Sequence, residues 1–484
     1  MNIKMVLYTL GNLLKVTAAF LILPILVSLV YGEFNYILCF VIPLLECFFL
    51  GWFLSFKKPK STTIYATEGF VIVGLSWILI SLFGCFPFLI SKTIPSFIDA
   101  FFETVSGFTT TGSTILSDIE TTFFNAHGLA FWRSFTHWIG GMGVLVFILA
   151  FMPNVGETFY IMKAESPGPQ VGKLVSKVRL TARILYFIYI ALTVLEIIVL
   201  LICKMPLFDS VVTTFGTAGT GGFGIKNNSI AGYNGFAQVA IGIFMLLFGI
   251  NFNVFYLILI GKVKQALKSE ELFWYLGFVV ASITAITINL ALTTAESFSV
   301  ILKDSFFTVS SIITTTGFAI EEFEKWPQFS QTILFVLMFI GACAGSTGGG
   351  IKVSRIAILI KSAKREMQKL VHPNSVSSIR FEGQKVEDET VKSIKNFFVW
   401  YVIIFFSCFL IISLDKYDFL TNISSVAACI NNVGPGLGEV VGSSGNFGGF
   451  SVLSKSVLIF AMLIGRLEIY PIIMMFNRKA WTNK

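Results

Sequence analysis

Four short runs that end in glycine carry the residues best suited to chemistry in this 484-residue chain. Backbone carbonyl and hydroxyl oxygens in such runs can replace the hydration shell of a cation, as rings of oxygens do in ion channels. Glycine suits the end of each run because the backbone there must adopt dihedral angles that a β-carbon resists. The candidate cation ligands are Thr110, Thr111 and Gly112; Thr220, Gly221 and Gly222; Thr315, Thr316 and Gly317; and Asn432, Val433 and Gly434.

Each run closes a stretch that the chain repeats four times in the same register. A residue that favours a helix start stands thirteen positions before each closing glycine, and apolar residues stand eleven and four positions before it. Each copy therefore predicts a capped helix of about three turns, which reaches about halfway across a bilayer. Four helix C-termini that converge on one axis would favour a cation there, whereas the alternative is four ordinary buried helices with glycine caps. The predicted caps are Asp99, Asp209, Asp304 and Thr421.

The composition is that of a helical membrane protein. Hydrophobic residues make up 55% of the chain and charged residues 13%, with a mean hydropathy of +0.81, which excludes an ordinary soluble domain. The seven cysteines form no CxxC pair and the three histidines have no ligand spacing, so we expect no disulfide, metal cluster or cofactor in this chain. The net charge of +8 gathers in particular loops and indicates topology, with no nucleic acid as a partner.

Apolar stretches predict about ten full membrane spans around the four half-helices. Basic loops, including 163–183 and 478–484, alternate with acidic loops, so both termini are expected on the cytoplasmic side of the lipid bilayer. The predicted spans are 5–30, 35–56, 69–91, 128–152, 184–203, 235–260, 272–292, 329–345, 396–414 and 452–476. The predicted units are an N-terminal transmembrane hairpin (1–60), pore repeats at 61–160, 161–268, 269–370 and 396–484, and a cytoplasmic linker (371–395).

Two features interrupt the apolar pattern. Five glycines in the stretch 341–352 should unwind the helix there, and irregular backbone at membrane depth must line a cavity or be buried in protein; the alternative is a helix that ends early. Arg466 lies deep in the last span, where a charge is costly and usually faces a polar interior; a packing-only ion pair is the alternative. Glu468 is a poor intrahelical partner for it. The candidate gate residues are Gly345, Ser346, Thr347, Gly348, Gly349, Gly350 and Arg466.

With these features together, the chain resembles the Trk/Ktr/HKT superfamily of potassium transporters, and within it the bacterial TrkH-type subunit. The resemblance covers essentially the whole chain, including the N-terminal hairpin that Ktr-type members lack. The stretches that carry it are FTTTGST at 108–114, FWRSFTHWIGGMGVLV at 131–146, TAGTGGF at 217–223, ITTTGF at 313–318 and NNVGPGLG at 431–438.

The resemblance implies potassium uptake across the bacterial inner membrane through a gated, channel-like pore, with potassium as the transported ligand. It implies that the four closing glycines form a selectivity filter, that the glycine-rich stretch is an intramembrane gate, and that Arg466 faces the pore beneath the filter. It also implies a homodimer with one pore per protomer and a cytosolic nucleotide-binding regulatory ring of the TrkA type. Because the four filters differ in sequence, and the second has an additional Gly219, we expect weaker selectivity for potassium over sodium than four identical filters would give.

A secondary transporter with alternating access is the alternative function, since broken helices can also coordinate a coupling ion. It would couple potassium to protons or sodium. Four parallel copies of one unit favour a single central pore, because alternating-access folds usually consist of two halves. A membrane scaffold or receptor would leave the filters and Arg466 unexplained, and no nucleophile–base pair or nucleotide-binding loop indicates an enzyme.

Overall fold

The computed structural model describes residues 1–61, 64–143, 178–374 and 377–477. The end of the predicted span 128–152, most of the basic loop 163–183 and the basic C-terminus at 478–484 lie outside these residues. The predicted all-helical class is confirmed. Within the described residues the chain is a succession of helices with one short β-hairpin.

The first half of the chain contains the N-terminal hairpin and two of the four repeated units. Its helices are α1 (Ile3–Phe20), α2 (Ile22–Val30), α3 (Phe34–Leu54), α4 (Ala66–Gly84), α5 (Phe86–Ile90), α6 (Phe97–Phe108), α7 (Ile119–Thr122), α8 (His127–Met142), α9 (Val178–Ile202), α10 (Leu207–Gly219), α11 (Gly235–Gly249), α12 (Phe252–Leu259) and α13 (Val263–Ala266).

The second half contains the other two units and the segment that connects them. Its elements are α14 (Glu270–Thr293), α15 (Phe298–Ile313), a 3-10 turn (Phe323–Lys325), α16 (Gln328–Ile340), α17 (Val353–Val371), β1 (Arg380–Phe381), β2 (Gln384–Lys385), α18 (Asp388–Ile412), α19 (Phe419–Ile430), α20 (Val452–Leu467) and α21 (Tyr470–Phe476).

Small residues bring the N-terminal helices α1 and α3 into close contact. A β-carbon added at Gly11 would lie 2.8 Å from the carbonyl oxygen of Gly51, and one added at Gly51 would lie 2.7 Å from that of Gly11. Close backbone approach of this kind is a common way for membrane helices to associate, because lipid removes the hydrophobic force between them. The hairpin thus packs as one layer against α4, α5 and α8.

Each repeated unit contains a short helix that ends near the middle of the molecule, and we call α6, α10, α15 and α19 the pore helices. The predicted helix starts are wrong, because all four pore helices begin earlier than Asp99, Asp209, Asp304 and Thr421. Asp304 lies inside α15, where its buried carboxylate is 3.3 Å from Lys303 Nζ, so it does not cap this helix. The true cap of the last pore helix is Asp418, whose side chain accepts a hydrogen bond from the Thr421 amide at 3.1 Å.

We call the helices that follow the four pore helices, α8, α11, α16 and α20, the returning helices, and the last three of them are interrupted. Among the described residues, six helices are long and apolar enough to cross a membrane alone, or up to seven if a bent pair is one span. The prediction of about ten spans stays a prediction, because several of the predicted spans are divided into shorter helices or end outside the described residues. The chain turns by 90° between α11 and α12, and α20 stops where Glu468 adopts a left-handed conformation. Only the interruption after α16, at residues 341–352, was predicted from glycine content.

A short antiparallel hairpin lies in the segment between α17 and α18, which had no predicted fold. Arg380 pairs with Lys385 and Phe381 with Gln384, and the turn between them has positive φ at Glu382 and Gly383, as two-residue hairpins require. Glu382 accepts hydrogen bonds from Ser269 Oγ at 2.7 Å and from the Glu271 amide at 2.9 Å. The hairpin thus caps the first turn of α14.

Candidate cation site

The four pore helices end in the same backbone motif. Just beyond each helix one residue is left-handed, with φ between +54° and +58°; it is the first residue after α10 and the second after the other three. The amide of the left-handed residue donates to the carbonyl three residues before it. The amide of the following residue donates to the carbonyl five residues before itself, and the two bonds together form the Schellman motif. These left-handed residues, which were not predicted, stand two positions before the closing glycines, at Thr110, Thr220, Thr315 and Asn432.

The closing glycines form a ring around one axis. Their own φ values are also positive, between +77° and +102°. Each closing glycine lies close to a carbonyl oxygen of the next unit, that of the residue before the next closing glycine. A β-carbon added at Gly112, Gly222, Gly317 or Gly434 would lie 2.0, 2.1, 2.1 or 2.8 Å from that oxygen, and the four contacts form a closed ring. Taken in order around the ring, the contacts join Gly112 to Gly221, Gly222 to Thr316, Gly317 to Val433, and Gly434 to Thr111.

Backbone strain is concentrated beneath this ring. A left-handed conformation in a β-branched residue costs of order 1–3 kcal/mol, and it persists where the surroundings fix it. Contacts of these side chains supply that constraint: Asn432 Nδ2 donates to Thr111 Oγ1 at 2.8 Å and to Met462 O at 3.0 Å, and Thr315 Oγ1 accepts from the Gly349 amide at 2.6 Å. The strained residues therefore tie the ring to its neighbours.

A buried ion pair supports the segments that leave the first two filters. Arg133 Nε donates to Glu103 Oε1 at 2.7 Å, and the side chains are 2% and 0% exposed. Glu103 also accepts from the Ile115 amide at 3.0 Å, while Arg133 donates to Gly224 O at 3.0 Å. Because a buried pair broken on one side costs about 3–5 kcal/mol, we infer that these residues fix the two segments relative to each other. Neither residue was singled out from the sequence.

A vestibule with an empty volume of about 650 Å³ opens at the ring. All four closing glycines line it, together with hydroxyl residues such as Ser113 and Thr114. At its rim Asn227 joins the loops of the first two units by donating to Asp118 at 2.8 Å, and this hydrogen bond lowers the pKa of the Asp118 carboxyl. The vestibule gives solvent a route to the ring from one side.

The glycine-rich loop at 341–352 lies on the helix side of the ring. Its Gly350 amide donates to Asn431 O at 3.1 Å, and a β-carbon at Gly349 would lie 2.3 Å from the same oxygen. Toward the second unit, the Cys343 amide donates to Gly249 O at 3.1 Å, and Gly345 O accepts from the Phe252 amide at 3.1 Å. The loop therefore crosses from one unit to another directly below the filters, with Thr347, Gly348 and Gly349 buried and Ser346 partly exposed.

Arg466 joins this loop to the first and last units. Its guanidinium donates to Thr347 O at 2.8 Å and to Gly140 O and Gly141 O, each at 2.6 Å. Gly140 and Gly141 lie in the last turn of α8 and Thr347 lies in the loop after α16, where backbone carbonyls can accept bonds from side chains. Glu468 pairs instead with Arg355, whose Nη1 lies 2.8 Å from Oε1.

A second buried contact holds the other end of the loop. Glu271, 4% exposed at the start of α14, accepts from the Ala344 amide at 2.7 Å and from Asn251 Nδ2 at 3.1 Å. Glu271 was not identified from the sequence, because a glutamate at the end of an apolar span looks like an ordinary interfacial charge. The structure therefore brings together all the predicted filter and gate residues and adds Glu271 and Asn251 to them.

This fold and ring define a polytopic helical membrane protein in which four repeated segments surround one axis. The model of the TrkH family, described as cation transport protein, matches residues 39–482. The chain belongs to this family.

Relatives in several bacteria match the chain over nearly its whole length. It is 33% identical to the Trk system potassium uptake protein TrkH of Salmonella typhimurium, over 99% of this chain and 100% of the relative. It is 33% identical to the Trk system potassium uptake protein TrkG of Escherichia coli K12, over 99% of each. The crystal structure of the potassium transporter TrkH from Vibrio parahaemolyticus superposes with a TM-score of 0.89 at 30% identity, covering 100% of both chains.

Proposed function

We propose that this protein takes up potassium through a gated pore in which the four filters hold the ion and the loop at 341–352 closes the path below them. The observation that carries the proposal is the closed ring of glycine–carbonyl contacts between the four units. Such a ring arises when four units surround one axis, as a central pore requires. The names of the relatives, which are potassium uptake proteins, give the transported ion.

The chemistry of the filter follows from its backbone. Left-handed residues alternate with others in each filter, a condition under which successive carbonyl groups can face the same side. Carbonyl oxygens then replace the water around a cation, and the C-terminal ends of the four pore helices add partial negative charge. The candidate potassium ligands are the twelve filter residues predicted from the sequence, and no side-chain carboxylate is needed.

The loop and Arg466 act together as the gate in this proposal. The loop carries no regular helix, so its free amides and carbonyls can form one set of contacts when closed and another when open. The Arg466 charge opposes a cation at this depth, and its hydrogen bond to Thr347 O holds the loop in place. Opening then requires that the bonds of Arg466 and Glu271 to the loop be broken together.

The cellular setting is part of the proposal. We place the protein in the bacterial inner membrane with both termini in the cytoplasm, as the charge of its loops favours. The name "Trk system" of the relatives indicates more than one component, and a homodimer bound to a TrkA-type nucleotide-binding ring fits this. The cytoplasmic hairpin at 380–385 and α17, which continues directly from the glycine-rich loop, are the elements that such a ring could move.

Potassium uptake by purified protein in liposomes tests the function and separates it from alternating access. A channel-like pore should carry potassium down its own gradient at a rate that does not depend on a proton or sodium gradient. Strict dependence on either gradient would favour a coupled transporter, and transport of neither potassium nor sodium would contradict the proposal.

Replacing Glu271 with glutamine should raise potassium flux in the absence of the regulatory partner. The amide keeps an acceptor for the Ala344 amide, but this acceptor is no longer charged, so the direct bond to the loop is weakened. It also presents a donor to Asn251 Nδ2, so the bond that holds the turn beside the loop is lost. Hydrogen bonds to charged groups contribute about 1.5–3 kcal/mol, so we expect an increase of about tenfold in the open population. Rubidium uptake into liposomes measures it.

Glu270→Gln is the matched control for this experiment. Glu270 is the neighbouring glutamate and pairs with Lys361. Its side chain is 31% exposed, and among the described residues it makes no hydrogen bond or ion pair with the loop at 341–352. Flux in the control should equal that of the wild type. Equal increases in both variants, or unchanged flux in folded Glu271→Gln, would show that Glu271 does not hold the gate.

A further inference from the structure

The second filter lacks a side chain that the other three have. The residue before the closing glycine is Thr111, Thr316 or Val433 in the other filters but Gly221 in this one, and all three of these side chains are buried. The two threonine hydroxyls each lie 2.8 Å from another threonine hydroxyl at the end of the same pore helix. In these filters a β-branched side chain therefore supports the backbone from behind.

His137 occupies the corresponding place behind the second filter. A β-carbon added at Gly221 would lie 2.3 Å from Nδ1, 2.4 Å from Cγ and 2.5 Å from Cε1 of the imidazole. The histidine comes from the returning helix of the first unit and is fully buried. A side chain at position 221 and the imidazole cannot share this space.

The imidazole is fixed from several sides. Its Nδ1 donates to Gly107 O at 2.7 Å; since a carbonyl only accepts, this contact sets the tautomer. The ring lies 4.2 Å from that of Phe223, the residue that follows the second filter. A β-carbon at Gly219 would lie 2.3 Å from His137 O. The histidine therefore links the end of the first pore helix to both ends of the second filter.

We propose that His137 is a specificity-determining residue that serves as the missing side chain of the second filter. Its imidazole sets the position of the Gly221 carbonyl, which contacts Gly112 in the ring. The inference rests on the proposed function, because it concerns selectivity for the transported cation. It adds a residue outside the four filter segments to those that determine selectivity.

An exchange of side chains between the two positions tests the inference. His137→Ala leaves the Gly221 backbone unsupported, and Gly221→Thr places a side chain inside the imidazole. Each should lower the potassium-to-sodium permeability ratio about tenfold, a change that corresponds to ~1.4 kcal/mol. The double variant His137→Ala/Gly221→Thr places a β-branched side chain in the space that the imidazole leaves, as in the other three filters. Its ratio should return to within about threefold of the wild type, because the two changes compensate each other.

Reversal potentials under bi-ionic conditions measure these ratios, and His127→Ala is the control because His127 pairs with Glu33 away from the filters. A milder pair, Gly221→Ala alone and with His137→Ala, replaces any variant that does not fold. The inference would be overturned by an unchanged permeability ratio in His137→Ala, or by a double variant whose ratio is no higher than that of Gly221→Thr. The selectivity of the wild-type protein would still support the proposed function in either case. A wild-type protein that passes no cation would overturn both.

Discussion

Replacing Gly317 with serine is expected to lower the potassium-to-sodium permeability ratio about tenfold or more. Gly317 has φ of +82°, which a residue with a β-carbon adopts only under strain. A β-carbon there would lie 2.1 Å from the carbonyl oxygen of Val433. That oxygen is backbone and cannot rotate away, so the ring itself must deform, and a distortion of ~1.4 kcal/mol already changes relative binding tenfold. Bi-ionic reversal potentials measure the ratio.

Gly277→Ser is the matched control for that substitution. Gly277 lies in α14, is exposed, and a β-carbon there would meet no atom within 4 Å in the described structure. The control should keep the wild-type permeability ratio. An unchanged ratio in correctly folded Gly317→Ser would show that the ring at the closing glycines does not discriminate between cations.

Variants that open the gate should give the second large effect, an increase in potassium flux. Arg466→Ala removes three hydrogen bonds, one of them to the glycine-rich loop, and deletion of residues 345–350 removes the loop's contacts with Thr315 and Asn431. Each change should raise potassium flux without the regulatory partner about tenfold or more, as the loss of one or more charged hydrogen bonds predicts. Combining them should add little, because parts of one latch do not contribute independently.

Arg466→Lys separates the two ways in which the arginine can oppose conduction. Lysine keeps the positive charge but cannot reproduce three donor directions from a planar guanidinium. If the hydrogen bonds hold the gate, Arg466→Lys should conduct nearly as well as Arg466→Ala; wild-type flux would show that the charge alone is the barrier. Fully additive gains in the combined variant, or reduced flux in either folded single variant, would contradict a single latch.

Sequence register alone located the four segments that form the ring, because a backbone motif that must be repeated four times constrains residue types at fixed spacing. It did not locate the starts of the pore helices. Asp304 stands at the expected position and is a good capping residue, but apolar residues from Phe298 onward continue the helix toward the membrane surface. Tertiary packing therefore decides where that helix begins.

The supporting contacts could not be predicted from the sequence. Each supporting residue stands alone in an apolar or mixed stretch, far along the chain from its partner. The separations are 84 residues for His137 and Gly221, 73 for Glu271 and Ala344, and 30 for Glu103 and Arg133. The break between α11 and α12 was missed for a similar reason. Ile250 and Asn251 do not forbid a helix, and the turn is fixed by contacts of Asn251 with Glu271 and of Phe252 with Gly345.

The central claim is that the four-unit ring holds the transported cation. Crystals of the protein soaked in rubidium, a potassium substitute with strong anomalous scattering, test it directly. The account predicts anomalous peaks on the ring axis, beside the carbonyl oxygens of Thr111, Gly221, Thr316 and Val433, and their loss in Gly317→Ser. Peaks confined to other places in the wild-type protein, or an axis without a peak at saturating rubidium, would contradict it.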